Sequence, residues 1–202
     1  MTKNRVLRVG YIGLPVFFAL LISPCTCVSQ DFIGTWTCQP ETRTYINSDQ
    51  HIKLTFPNDK WRVYTGPHKD LYFLWNTPTK DHSSYHVLVA RVPGTELFMQ
   101  LVIEPTPENI DISLDEYLAL NKRTMELQVS RSGVGEFDSK VIQLEGRRIG
   151  LITCTRKGQK FLTTAFKEKG RFTGLAFNCV ESLFESNQDQ FWAIVDSYEY
   201  LE

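Results

Sequence analysis

The sequence has no large excess of charge of either sign, and this limits the partners that it can bind. Its 22 Lys and Arg residues are offset by 23 Asp and Glu residues, which gives a formal net charge of −1 at pH 7. Proteins that bind nucleic acids carry clustered basic side chains that neutralise phosphates. The pairs Arg147–Arg148 and Arg156–Lys157 lie near predicted turns and are interpreted as solvated surface. No nucleic-acid partner is therefore expected.

The sequence also lacks an apolar run long enough to cross a membrane as a helix. The apolar run at residues 11–22 has about a dozen residues, whereas a spanning helix needs roughly 20. Three basic residues precede this run and small residues follow it, which is the pattern of a secretory signal peptide. We therefore predict that residues 1–29 are a cleaved signal peptide, cut between Ser29 and Gln30. A cut after Cys27 is the alternative.

Two cysteines just after the apolar run allow a different fate for the N terminus. A lipidated cysteine normally follows a small residue such as Gly or Ala, whereas Pro24 precedes Cys25 and Thr26 precedes Cys27. Lipidation at Cys25 or Cys27, or an uncleaved anchor, is kept as an alternative. The expected location is outside the cytoplasm, in the periplasm or the extracellular space. Attachment to a membrane is expected only if the chain is lipid-anchored or uncleaved.

Cysteine is too scarce for a disulfide scaffold. After cleavage the chain retains Cys38, Cys154 and Cys179, enough for one disulfide and one free thiol. Cys154 and Cys179 fall on the first and third of three consecutive predicted strands, about 10 Å apart. A disulfide needs Cα atoms within about 7 Å, which disfavours that pair. A bridge from Cys38 to either of the others is less restricted, and buried free thiols are the default.

The spacing of apolar residues predicts one domain of strands and two helices at 51–202, preceded by an irregular N-terminal arm at 30–50 that carries Trp36. Alternating or dense apolar runs predict strands at 51–56, 61–64, 71–75, 85–92 and 97–103. Short breaks containing glycine predict a four-strand antiparallel meander at 141–144, 148–155, 161–166 and 172–180. The tail at 197–200 is predicted to be extended.

The helices lie at 113–130 and 186–195 in this prediction. Ser113 and Glu116 have the spacing of a capping box, in which each side chain bonds to the backbone of the other residue. The acids Asp111 and Asp115 fit the same helix start, because its dipole favours negative charge. Gly133 is the predicted end of this helix.

Four segments carry a resemblance to a known family: residues 52–61, 113–118, 144–155 and 191–201. With the order of the elements, they resemble the PsbP-like fold, whose members include the extrinsic PsbP subunit of photosystem II and DcrB-like bacterial envelope proteins. The resemblance implies an α+β fold, an antiparallel β-sheet with one central and one C-terminal helix packed on it. It also implies a binding or assembly role, with another envelope protein as the partner and with no catalytic residue or cofactor.

A second resemblance competes with the first. Residues 31–36 look like the Gly-x-Trp start of a lipocalin, which would make the protein a carrier of small ligands. A lipocalin forms an eight-strand barrel with its helix late in the chain. The capped helix in mid-chain opposes this interpretation.

No residue pattern predicts a catalytic or metal centre. His82 and His86 are four residues apart but fall where a loop meets a strand, so they are weak metal candidates. The chain has no Gly-x-Ser-x-Gly elbow, phosphate loop or His-Glu-x-x-His motif, which favours a non-enzymatic protein. An exported protein that binds a small ligand or a metal is the alternative. The aromatic residues are interpreted as core or, if exposed together, as a docking patch: Trp61, Tyr72, Phe73 and Trp75.

Overall fold

Eleven strands and two helices occupy the residues that the computed structural model describes, which are 37–39, 43–64, 85–106, 110–132 and 134–202. The first six strands are β1 (Thr37–Gln39), β2 (Thr44–Asn47), β3 (Ile52–Thr55), β4 (Arg62–Tyr64), β5 (Tyr85–Arg91) and β6 (Phe98–Pro105). Helix α1 (Leu114–Ser132) follows. The remaining elements are β7 (Val134–Leu144), β8 (Arg147–Arg156), β9 (Gln159–Glu168), β10 (Arg171–Val180), α2 (Glu181–Asp196) and β11 (Glu199–Tyr200).

The strands form two antiparallel sheets. The large sheet has seven strands in the order β4-β5-β6-β10-β9-β8-β7, and the small sheet has four in the order β1-β2-β3-β11. The predicted meander is confirmed as β7 to β10. Its first two turns place Glu145, Gly146, Lys157 and Gly158 at φ of 48°, 81°, 51° and 77°. Two positive φ values in succession define type I′ turns, whose twist matches that of the strands they join.

The two faces of the large sheet are covered differently, and we name them after the helix that each one carries. On the α1 face, Leu114, Tyr117, Leu118 and Met125 pack with sheet residues such as Phe172. On the α2 face, a larger cluster joins the sheet to α2 and to β2 and β3 of the small sheet. Successive side chains of a strand point to opposite faces, so β10 contributes to both clusters. The predicted α+β class is confirmed.

A glycine allows α1 to lie close to the sheet. A Cβ atom built on Gly150 of β8 would lie 3.0 Å from Cδ2 of Leu118 and 3.3 Å from Cδ1 of Leu114. Both distances are shorter than ordinary van der Waals contacts. The absence of a side chain at this position therefore sets the spacing between helix and sheet.

The prediction of an irregular arm at 30–50 is wrong for residues 37–39 and 44–47, which form β1 and β2. Tyr45 of β2 is fully buried, and Nδ2 of Asn47 donates to its hydroxyl at 3.0 Å. The short sequence of β2 does not show the apolar–polar alternation that predicts a strand, because Thr44 and Asn47 are polar residues that are buried. Trp36 and the predicted strand at 71–75 lie outside the described residues.

The other elements differ from prediction mainly at their ends. Helix α2 begins at Glu181, five residues before the predicted start, and its N-cap residue Val180 makes no side-chain capping bond. Instead, the Glu181 N–H donates to the Gly158 carbonyl at 2.9 Å. Helix α1 ends at Ser132, and the predicted stop at Gly133 lies outside the described residues. Neither described helix combines the length and the apolar character needed to cross a membrane.

Candidate functional site

A buried cluster of polar side chains joins the two sheets. We call it the sheet-joining cluster, and its members are Gln50, Glu168, Arg171, Thr173 and Tyr198. Nε of Arg171 lies 2.6 Å from Oε2 of Glu168, and these side chains are only 12% and 5% exposed. The Thr173 hydroxyl donates to the same oxygen at 2.8 Å, and the Tyr198 hydroxyl donates to Oε1. Both carboxylate oxygens of Glu168 are therefore engaged within the protein.

The same cluster reaches the small sheet through Arg171. Its Nη2 donates to the backbone carbonyl of Gln50 at 2.6 Å, and its guanidinium lies 5.1 Å from the ring centroid of Tyr200. Gln50 belongs to the β2–β3 turn, while Tyr200 belongs to β11. A planar guanidinium suits this position, because it can bond to a carboxylate and a carbonyl while stacking on a ring.

Tyr198 is held from a second direction by Arg147. Nη1 of Arg147 donates to the Tyr198 carbonyl at 2.7 Å, and the Tyr198 ring stacks on Phe166 with centroids 4.3 Å apart. Burial, followed by the nearby charge of Glu168, raises the pKa of the Tyr198 hydroxyl above its ordinary range. The hydroxyl therefore stays protonated and keeps donating to Glu168. This arrangement holds the C-terminal segment in place rather than preparing a reactive group.

The start of α1 shows the predicted capping box. The Ser113 N–H donates to Oε2 of Glu116 at 2.7 Å, and the Glu116 N–H donates to the Ser113 hydroxyl at 3.2 Å. The side-chain and backbone bonds from Ser113 lower the pKa of Glu116. Asp111 and Asp115 form ion pairs with Lys167 and Arg148 at 2.6 and 3.0 Å.

Within α1, Tyr117 anchors the helix to the sheet. Its ring stacks on Phe172 with centroids 4.0 Å apart and planes inclined by 14°. Burial, reinforced by the negative charge of Glu104, raises the pKa of Tyr117 well above its ordinary range. The hydroxyl is therefore neutral at physiological pH and serves as a hydrogen-bonding group.

Cys154 and Cys179 lie on opposite faces of the large sheet. Cys154 belongs to the cluster on the α1 face and Cys179 to the cluster on the α2 face. Both are buried free thiols, so a bridge between them, already disfavoured by spacing, does not form. Burial raises the pKa of Cys154 to about 12 and that of Cys179 to about 11, which leaves both thiols protonated. The Cys38 side chain lies outside the described residues, so a bridge involving it stays a prediction.

The remaining predicted site residues fall largely outside the described residues. This applies to the cleavage position at Ser29 and Gln30, to Cys25 and Cys27, and to His82. His86 lies in β5, but its side chain is not described. The described residues contain no group of three His, Cys, Asp or Glu side chains that could hold a metal ion. The metal hypothesis for His82 and His86 therefore stays a prediction.

Trp61 belongs to the core and not to a docking patch. It is 5% exposed, its indole N–H donates to Oε1 of Gln190 at 3.2 Å, and its ring lies 5.8 Å from that of Phe56. The other aromatic candidates, Tyr72, Phe73 and Trp75, lie outside the described residues.

Sequence reasoning missed two features. The sheet-joining cluster draws on residues as far apart as Gln50 and Tyr198, and only the close spacing of Glu168 and Arg171 across a turn gives a local signal. The other is the length and position of β7, an 11-residue strand at one end of the large sheet, of which only residues 141–144 were predicted. Its alternating charges, at Asp138 and Lys140, are visible in the sequence, but its place at the end of the sheet is not.

The fold is PsbP-like, as the sequence segments predicted. The structure resembles that of the cyanobacterial PsbP protein, CyanoP, from Synechocystis sp. PCC 6803, with a TM-score of 0.55 and 11% sequence identity. The similarity covers 87% of this chain and 97% of CyanoP. At this identity it shows a common fold and nothing finer.

Two other solved structures are more distant. PA94, a protein of unknown function and putative regulator from Pseudomonas aeruginosa, has a TM-score of 0.39 and 9% identity over 81% of this chain and 94% of its own. LpqN, involved in cell envelope biogenesis of Mycobacterium tuberculosis, has a TM-score of 0.40 and 11% identity over 75% of this chain and 84% of its own. No family model and no curated protein matches the sequence.

Proposed function

We propose that this chain is an exported, non-enzymatic protein that binds or stabilises a partner protein in the cell envelope. The observation that carries the proposal is a PsbP-like fold placed behind an N-terminal segment with the pattern of a secretory signal. The resemblance to PsbP, which is an extrinsic subunit, supports an assembly role.

The buried ion pair and the buried thiols of the described residues have structural roles. The buried ion pair of Glu168 and Arg171 is used to join the sheets, and both buried thiols are held protonated. The lipocalin-like alternative has less support, because the described strands form two open sheets and α1 lies in mid-chain between β6 and β7.

The location is tested first, by expressing the full chain with a C-terminal tag and fractionating the cells. We expect the protein in the envelope or the medium, with Gln30 as its first residue. A mass increase at Cys25 or Cys27 would instead assign a lipid anchor. An intact N terminus on a cytosolic protein would contradict export.

The partner is tested by crosslinking in living cells followed by purification through the tag. The matched control is the same tagged chain without residues 1–29, which should remain inside the cell. We expect one protein to be recovered in constant ratio with the exported chain and not with the control. Recovery of a small molecule or metal ion with partner-free protein, detected by native mass spectrometry, would favour the ligand-binding alternative.

A further inference from the structure

Strand β7 ends the large sheet and is long enough to accept another strand. It pairs with β8 without interruption from Phe137 to Leu144, after an irregularity between Val134 and Phe137, and no other strand among the described residues pairs with its outer edge. An end strand presents a row of backbone N–H and C=O groups that can pair with a further strand. Eleven residues exceed the usual length of a strand, which is about 5–6 residues.

The side chains of β7 alternate between the two faces of the sheet. Phe137 and Val141 pack against the cluster on the α1 face, whereas Ile142 and Leu144 pack against the cluster on the α2 face. Alternation therefore places Asp138 and Lys140 together on the α2 face. Their side chains are 67% and 59% exposed, and they lie 4.0 Å apart within the chain, at the limit for an ion pair. Both charges are therefore available to a neighbouring strand.

We propose that β7 pairs antiparallel with β7 of a second copy of this chain, around a two-fold axis at Ser139. In this register Asp138 of each copy lies directly opposite Lys140 of the other, which gives two cross-strand pairs of opposite charge. Directly opposed residues of antiparallel strands are about 5 Å apart, so the pairs are within reach. A closed two-fold interface of this kind uses the same surface of both copies.

The sequence of β7 selects this register over its neighbours. An axis at Asp138 would oppose the two copies of Asp138, and an axis at Lys140 would oppose the two copies of Lys140. Like charges directly opposite one another destabilise a sheet. The axis at Ser139 avoids both repulsions and leaves a small hydroxyl side chain at the centre.

Charged residues on an end strand usually discourage pairing, and this is the competing explanation of Asp138 and Lys140. A block of one sign would repel a second copy in every register. Here the two signs alternate, so each charge faces an opposite charge when two copies of β7 pair in this register. The contact is one strand wide, below the area of a stable dimer, so we expect a weak dimer that depends on concentration.

The first test is sedimentation equilibrium of the exported chain across a range of concentrations. D138K and K140D each convert the two attractive pairs into two repulsive ones, and each should raise the dimer dissociation constant about tenfold or more. The double variant D138K/K140D exchanges the charges and should dimerise as the original chain does. A mixture of D138K with K140D should form a heterodimer, because opposite charges face each other again.

These variants separate an interface at β7 from loss of folding. Both positions are exposed, and an unchanged circular dichroism spectrum would show that each variant is folded. A chain that remains monomeric at every concentration would overturn the proposal and leave the edge for a strand of a different protein. So would a dimer whose affinity is the same in D138K and K140D, or a mixture no tighter than its components.

The register is tested by disulfide trapping in a background where Cys38 is replaced by serine. S139C would place two thiols across the axis, where opposed Cα atoms lie about 4.5–5.5 Å apart, a distance that a disulfide spans. We expect a covalent dimer on mild oxidation. The control is Q143C, on the same face of β7 and more than about 20 Å from its counterpart in this register. Equal trapping of both variants would contradict the register.

Discussion

The two faces of the large sheet are covered by segments from different parts of the sequence. Among the described residues, the α1 face is covered by one helix that immediately precedes β7 in the chain. The α2 face is covered by α2 and by the small sheet, whose strands come from the beginning and the end of the described chain. For example, Arg171 bonds to Gln50 across 121 residues, and Lys53 bonds to Glu199 across 146.

The α1 face therefore depends on a helix that is adjacent to the sheet in sequence, whereas the α2 face depends on contacts between segments that are distant in sequence. Closing the α2 face fixes segments that are distant in sequence, so their ordering entropy must be overcome by a large core and by the sheet-joining cluster. In the part of the chain that the structure describes, the α1 face is closed by one helix with a capping box and by a smaller core. We infer that the α2 face contributes more to global stability and that the α1 face opens more readily.

The strongest test compares two phenylalanines on β10. Phe177 is fully buried on the α2 face and stacks on Phe191 of α2 with centroids 4.7 Å apart, whereas Phe172 is 2% exposed on the α1 face. F177A and F172A should each lower the free energy of unfolding by about 3–5 kcal/mol, with F177A at the upper end. Urea unfolding followed by circular dichroism measures both. A larger loss for F172A would reverse the ranking of the faces.

A smaller effect is expected from the cluster that closes the α2 face. E168Q leaves the Arg171 guanidinium buried without its carboxylate, and we expect a loss of about 3 kcal/mol. The matched control is E199Q. It removes the exposed ion pair of Glu199 with Lys53, at 2.7 Å, and should cost less than about 1 kcal/mol. Similar losses in the two variants would show that the buried pair has no special role in joining the sheets.

The sequence was sufficient to predict the elements that are determined by residues close to one another in the chain. Turns with glycine at the second position, such as Glu145–Gly146, predicted the meander correctly, and the spacing of Ser113 and Glu116 predicted the start of α1. Each of these signals lies within a few residues. The fold class followed from their order along the chain.

The features that local rules do not control were missed. β2 is short and has buried polar side chains, so its alternation is invisible before its partner β3 is known. Helix α2 starts without a capping side chain, because a backbone bond to Gly158 replaces the cap. The candidate surface at β7 depends on where the strand falls in the sheet, which is a property of the whole topology.

On the α1 face, the capping box should make a modest contribution. S113A removes the hydroxyl that accepts from the Glu116 N–H, and we expect a loss of about 1 kcal/mol in urea unfolding. The control is S186A, because Ser186 is exposed within α2 and its hydroxyl bonds only to close neighbours, donating to the Leu183 carbonyl and accepting from Nδ2 of Asn187. It should change stability by less than about 0.5 kcal/mol. Equal effects of the two substitutions would show that the cap makes no specific contribution to the stability of the α1 face.

The same capping box should be visible as a pH effect. The bonds from Ser113 favour the charged form of Glu116, so its pKa lies below the ordinary 4.5 in the folded protein. The contribution of this group to stability is therefore present above pH 4.5 and is lost as the pH falls through its lower, folded pKa. In S113A the pKa, measured by NMR titration of the side-chain carboxyl, should move up towards 4.5. An unchanged pKa would show that the hydroxyl does not bond to Glu116 in solution.

The smallest expected effect is a difference in the rate at which two buried thiols react. The pKa of Cys154 is about 12 and that of Cys179 about 11, so neither forms appreciable thiolate at pH 8 in the folded state. Iodoacetamide should therefore label them only when the protein opens, and it should label both rapidly in denaturant. If labelling followed pKa alone, Cys179 would react first. We expect Cys154 to react first, because it lies under α1 on the face that opens more readily. Peptide mapping by mass spectrometry in a C38S background distinguishes these two orders of labelling. Earlier labelling of Cys179 would mean that the α1 face opens no more readily than the α2 face.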